Sequence, residues 1–192
     1  MWMGLFKAGN NCYLKRTRLH LSRDTDIADE PGQMTGWVVT PSVKDSAFIF
    51  ISGLPHMQER QVHSISLAKK QLLPGEQQQF TYNGTTYTLY ATGTKKADSP
   101  GSNFFMVDRY CLYLKADVKG RQQRQMLASV GRLTDTFASF LFAGDIDGDG
   151  LPDLILNTSS EENVETTTLY LSKFAAKGQL LKVVGLHLIT GC

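Results

Sequence analysis

The stretch "FTYNGTTYTLY", Phe80 to Tyr90, predicts a β-hairpin. Threonine and tyrosine alternate on both sides of Asn83-Gly84, which suits two pleated strands with one buried face. The Asn-Gly pair supplies the two positive-φ positions of a two-residue type I′ turn. This segment therefore favours antiparallel β structure.

Similar runs extend along the rest of the chain. Aromatic and β-branched residues dominate "GWVVT", "AFIFISGL", "RYCLYLKADV", "FASFLFAG", "TTTLYLS" and "LLKVVGLHLI", which turn residues separate. We expect a mainly β protein of one domain, residues 1–192, with antiparallel sheets packed or partly closed like a sandwich or propeller. One or two short helices are predicted, with candidates at 66–75 and 172–178, whereas "RQQRQMLASVG" fits a strand or a helix.

Charge and composition bear on the expected partners and on the compartment. A net charge of +2 over 192 residues gives no reason to expect a nucleic acid or an anionic membrane as partner. No run approaches the ~18 apolar residues of a membrane span, so we expect no membrane insertion. Cys12, Cys111 and Cys192 allow one disulfide at most. Two alternatives remain open: a disulfide between Cys12 and Cys192 in an oxidising compartment, or three unrelated thiols.

The stretch "GDIDGDGLPDLIL" predicts a metal site. Counting from Asp145, carboxylates occupy the first, third, fifth and ninth positions of the loop, with glycine at the sixth. The members of the predicted site are Asp145, Asp147, Asp149, Asp153 and the carbonyl of Leu151. Clustered carboxylates repel one another unless a cation lies among them. Oxygen ligands at this spacing suit Ca²⁺, and the glycines allow the backbone to turn the side chains inward.

This loop differs from an EF-hand, which needs a glutamate at the twelfth position and flanking helices. The twelfth position is Leu156, and both flanks look like buried strands. We therefore predict a calcium-binding hairpin at 140–158, with a structural ion whose coordination is filled. The alternative is a polar hairpin that binds no ion.

The residues do not predict an enzyme. The four histidines are scattered, and no nucleophile elbow, phosphate loop or zinc motif occurs. A spatially assembled triad stays possible, but a binding protein is favoured.

The calcium loop resembles the FG-GAP and VCBS-like motifs of bacterial surface proteins. The order of calcium loop, apolar strand, "LYLS", Ala-rich turn and terminal Gly-Cys resembles bacterial envelope proteins that are similar to periplasmic lysozyme inhibitors. Members of that group act as immunity proteins against peptidoglycan hydrolases, delivered as secretion-system effectors. The resemblance implies a periplasmic, calcium-binding inhibitor of a muramidase or lysozyme-type enzyme.

A surface loop is the expected inhibitory element. We predict "TKKADSPGSNFF", with Lys95 and Lys96 facing an acidic cleft and Phe104 or Phe105 as the anchor. An ordinary hairpin with its phenylalanines in the core is the alternative for this loop. A calcium-stabilised adhesion or glycan-binding module is the alternative for the whole protein.

Overall fold

The computed structural model describes residues 1–9, 11–26, 29–97, 105–133, 138–159 and 163–190. These residues form strands and no helix. The strands are β1 (Trp2–Ala8), β2 (Asn11–Thr17), β3 (Leu19–Asp24), β4 (Gly36–Pro41), β5 (Ser46–Ile51), β6 (Arg60–Val62), β7 (Gln77–Tyr82), β8 (Thr85–Ala97), β9 (Phe105–Val118), β10 (Arg121–Leu133), β11 (Ser139–Gly144), β12 (Asp153–Asn157), β13 (Val164–Leu171) and β14 (Lys182–Thr190).

The strands form four antiparallel sheets, none of them closed. The prediction of a mainly β protein built from antiparallel sheets is confirmed. The chain divides into two compact units, Met1–Val62 and His63–Cys192. The prediction of one domain stays a prediction alongside this division. No helix in the described part of the chain is long and apolar enough to cross a membrane.

Unit 1 contains one four-stranded sheet, in the order β5-β1-β2-β6, and the two-stranded ribbon β3-β4. Its core includes Leu5, Phe6 and Leu14, which are almost completely buried. The ribbon leaves Leu21 and Trp37 exposed. Arg23 covers one face of the Trp37 ring, 3.8 Å from its centroid.

Unit 2 contains two four-stranded sheets, β10-β9-β8-β7 and β11-β12-β13-β14. Leu112 and Leu114 of the first sheet and Leu154 and Leu156 of the second belong to one buried cluster. The hydroxyl of Tyr170 donates a 2.6 Å hydrogen bond to the carbonyl of Leu127 across the two sheets. The two sheets of this unit therefore share one apolar core.

The helix predicted at 66–75 is wrong. The Lys69 amide donates to Gln78 Oε1 at 2.9 Å, and Gln78 Nε2 donates back to the Lys69 carbonyl at 3.0 Å. Gln71 forms a β-bridge with Ser139. Contacts with other segments thus satisfy the backbone of this segment. They override its local helix-forming pattern.

The helix predicted at 172–178 is also wrong. Its expected N-cap, Ser172, donates both its amide and its hydroxyl to Asp153 instead. A tight turn follows, closed by the Ala175 amide on the Ser172 carbonyl at 2.9 Å. The ambiguous segment "RQQRQMLASVG" lies in strand β10.

Candidate metal centre

The acidic loop connects two neighbouring strands of unit 2. Strands β11 and β12 pair antiparallel, and Gly144 lies opposite Asp153 at the end of the pairing. Two paired strands are therefore present within 140–158, whereas calcium binding by this hairpin stays a prediction. The loop lies at the end of the sheet, next to the shared core.

Three carboxylates converge inside the loop. Asp145, Asp147 and Asp149 each offer one oxygen, and these atoms all lie within 4.8 Å of one another. Gly148 and Gly150 have φ values of 84° and 85°, in the region that a side chain penalises. The group can hold a metal ion.

The loop's own amides hold these side chains in place. The Asp145 carboxylate accepts hydrogen bonds from the Gly148 amide at 2.6 Å and the Gly150 amide at 3.1 Å. Asp149 Oδ1 accepts from the Leu151 amide at 2.8 Å. The carboxylates are thus positioned by the backbone before any ion arrives, which limits the ordering cost of binding.

Asp147 carries the feature that favours a cation. Its Oδ2 atom is buried and has no hydrogen-bond partner in the described residues. Burial, and then the charge of Asp149, raise the pKa of the Asp147 carboxyl. Buried polar atoms normally have a partner, so an orphaned carboxylate oxygen among other carboxylates fits a bound cation.

Asp153 is the most buried carboxylate, with no exposed surface. One oxygen accepts from the amides of Ile146 and Asp147, at 2.7 and 3.2 Å. The other accepts from the Ser172 amide and hydroxyl, at 2.8 and 2.9 Å. Burial, followed by the charge of Asp147, raises its pKa to about 7. Asp153 lies outside the group of three and ties the loop to the end of β13, while its role as a ligand stays a prediction.

Two residues of this centre were missed by the sequence analysis. The Ser172 hydroxyl lies 3.0 Å from both oxygens of Asp149 and 2.9 Å from Asp153 Oδ1, although one hydroxyl donates a single proton. Asn83, at the β7-β8 turn, donates from Nδ2 to the Gly150 carbonyl at 2.7 Å. Asn83 lies 67 positions from its partner, so no local pattern reveals this contact.

The predicted partner-binding residues lie away from this centre. Lys95 and Lys96 are exposed on strand β8 rather than in the predicted loop, so that part of the loop prediction is wrong. The Lys95 ammonium lies 3.7 Å from the centroid of the Phe105 ring. Lys96 pairs with Asp108 at 3.3 Å, and Arg132 also pairs with that carboxylate. Phe104 lies outside the described residues.

The cysteines give no test of the predicted disulfide. Cys12 is buried, Cys111 is partly exposed, and both are free cysteines. Cys192 lies outside the described residues. The Cys12 to Cys192 disulfide therefore stays a prediction.

No family model matches this chain. The comparisons with curated proteins and with solved structures likewise find no match. The resemblance to calcium-binding envelope proteins stays a prediction.

Proposed function

We propose that the loop from Asp145 to Asp153 binds one calcium ion, and that the protein is a non-catalytic inhibitor that blocks a peptidoglycan hydrolase in the periplasm. The buried, unpartnered Oδ2 of Asp147 supports the ion most directly. The oxygen lies among carboxylates whose mutual repulsion a divalent cation relieves.

The chemistry of the donors favours calcium over other ions. Asp145, Asp147 and Asp149 offer only oxygen, and neither histidine nor cysteine belongs to the group. Such hard oxygen donors suit Ca²⁺, which accepts oxygen ligands at variable angles, whereas zinc prefers nitrogen and sulfur. Leu151 contributes through its carbonyl. The spacing adds Asp153 as a further proposed ligand, and this carboxylate also anchors the loop by accepting hydrogen bonds from the Ile146 and Ser172 amides.

The bound ion supplies positive charge that fixes the loop. The protein residues then hold the geometry: Asp153 joins the loop to Ser172, and Asn83 joins it to the β7-β8 turn. A filled coordination sphere leaves no open position for a substrate. The proposed role of the ion is therefore structural.

Calcium titration by calorimetry, paired with thermal melting, tests the ion. The parent protein, stripped of metal, should bind one equivalent and melt at a higher temperature, because an ion that binds only the folded state stabilises it. Asp147→Asn should lose both effects. Asp117→Asn, which changes an exposed carboxylate of β9, is the matched control and should behave like the parent. Equal calcium responses in all three proteins would place the ion elsewhere.

The inhibitor proposal rests on the resemblance and on the two exposed lysines. Lys95 and Lys96 present positive charge that complements an acidic muramidase cleft, although Asp108 offsets part of the Lys96 charge. A muramidase assay on purified peptidoglycan tests this proposal. The parent should inhibit, the double variant Lys95→Glu and Lys96→Glu should inhibit less, and Lys177→Glu, at an exposed turn, should match the parent.

A calcium-stabilised glycan-binding module is the second candidate. Tyr90 and Tyr113 stack at 5.1 Å on the face of their sheet opposite the core, and Arg124 lies 4.9 Å from the Tyr113 ring. Aromatic and planar cationic groups of this kind occur in sugar-binding surfaces. Binding of peptidoglycan fragments without any inhibition of muramidase, lost in Tyr113→Ala, would favour this candidate.

A further inference from the structure

Strand β14 ends one sheet of unit 2 and has a single neighbour, β13, among the described residues. An edge strand presents unpaired amides and carbonyls to any chain that can align with it. Proteins usually protect such edges with charged residues, proline or bulges. β14 has one bulge, at the register shift opposite Leu169 and Tyr170. Residues 185–190, beyond the bulge, pair regularly with β13. They contain no proline, aspartate, glutamate, lysine or arginine.

The opposite edge of the same sheet is covered. Segment 64–71 runs along β11, where Ser64 bridges Gly144 and Gln71 bridges Ser139. The Ile65 amide also donates to the Ala143 carbonyl at 2.7 Å. Only one of the two edges is therefore left open within the described residues.

The open edge also exposes apolar side chains on the face that carries the core. Leu186 lies opposite Thr168, which in turn lies opposite the buried Leu156. Directly opposite residues share a face, so Leu186 and Leu188 extend the core side of the sheet. They are nevertheless 66% and 53% exposed.

We propose that β14 pairs with β14 of a second copy of this chain, antiparallel about a two-fold axis at His187. This register places Leu186 of each copy opposite Leu188 of the other, and Gly185 opposite Ile189. The four leucines then form one apolar cluster that continues the core face across the dimer. No Asp, Glu, Lys or Arg side chains meet across the axis, because Lys182 lies beyond the paired segment.

The bulge and the leucine pairing together select this register over its neighbours. A two-fold axis at Leu186 would pair Leu188 with Val184, which lies within the irregular part of the strand. An axis at Leu188 would leave Leu186 opposite Thr190, whereas the axis at His187 uses residues 185–189 of the regular part and places every leucine opposite a leucine. Self-complementarity favours a second copy over an unrelated strand, since an isologous interface needs the same patch on both partners.

Analytical ultracentrifugation over a concentration series tests the association. The parent should change from monomer to dimer as its concentration rises to about 100 μM. Leu186→Lys should raise the dissociation constant at least about tenfold, because each lysine would lie against an apolar leucine of the other copy. Leu141→Lys, which changes an exposed leucine of β11, is the matched control and should dimerise like the parent.

Cysteine cross-linking tests the register. His187→Cys should form a disulfide-linked dimer on mild oxidation, since directly opposite Cα atoms lie about 5 Å apart. Ile189→Cys should not link to its own copy, because the two positions are offset by about 13 Å along the strands. The parent, with its own three cysteines, gives the background. A parent that stays monomeric overturns the proposal. The proposal is also overturned if the parent dimerises but Leu186→Lys does not weaken the dimer and His187→Cys forms no disulfide link.

Discussion

Replacing Asp153 by asparagine should change how the stability of the ion-free protein depends on pH. Asp153 is completely buried, and burial raises its pKa to about 7 from the ordinary value of 3.8. The folded state therefore holds this proton over a range in which the unfolded state has released it. Stability from this group is fully present below pH 3.8 and is lost as the pH rises through about 7.

The size of the effect follows from the pKa difference. A rise of about three pKa units corresponds to about 4 kcal/mol of unfolding free energy, lost between about pH 4 and about pH 8. Asp153→Asn removes the titration and keeps one acceptor oxygen in the same place. The unfolding free energy of the parent minus that of the variant should therefore fall by about 4 kcal/mol over this range in chelator. Excess calcium at the upper pH should stabilise the parent more than the variant, since the proposed ion would bind the charged carboxylates.

Urea unfolding at several pH values measures this difference. Both tryptophans, Trp2 and Trp37, lie in unit 1, so far-UV circular dichroism is needed to report on unit 2. Other carboxylates also titrate in this range, and subtracting the variant removes the contribution of those that do not interact with Asp153. A difference that stays constant with pH in chelator would refute the assignment of the raised pKa to Asp153.

Three further substitutions test the surroundings of the loop. Gly150→Ala should destabilise the protein by about 1–2 kcal/mol in thermal or urea unfolding, because its φ of 85° is strained for a residue with a side chain. Steric overlap adds little, since the nearest atom to a new Cβ is 3.7 Å away. Gly131→Ala, with open space and ordinary φ, is the control. Ser172→Ala should cost about 1.5–3 kcal/mol in urea unfolding, since its hydroxyl bonds to charged carboxylates, and an unchanged midpoint would contradict that role. Asn83→Gly keeps the turn but removes the hydrogen bond to the Gly150 carbonyl, so calorimetry should show calcium binding weaker by up to about tenfold. Equal affinity would mean that this hydrogen bond does not support the site.

Local sequence patterns predicted the elements that local forces determine. Asn83-Gly84 joins β7 and β8 as a two-residue turn with positive φ at both residues. Gly148 and Gly150 take the predicted left-handed conformations. In both places the backbone geometry depends on the residues themselves.

Patterns failed where distant partners decide the structure. The sequence predicted Ser172 as a helix N-cap, yet its amide and hydroxyl donate hydrogen bonds to Asp153, 19 positions earlier. Lys69 lies in a segment with helical composition, yet the side chain of Gln78 satisfies its backbone. The spacing of the carboxylates predicted the convergence of Asp145, Asp147 and Asp149. Asp153 lies outside that group, and its anchoring depends on contacts that only the folded sheets supply.

The contact between Asn83 and Gly150 has a consequence for the order of folding. It joins the turn of one sheet to the loop of the other, across 67 positions of the chain. The complete proposed ion site should therefore form only after the two sheets of unit 2 have docked, which is a late, non-local event. Calcium should then slow unfolding far more than it speeds refolding, and an isolated peptide of residues 142–159 should bind the ion much more weakly than the folded protein.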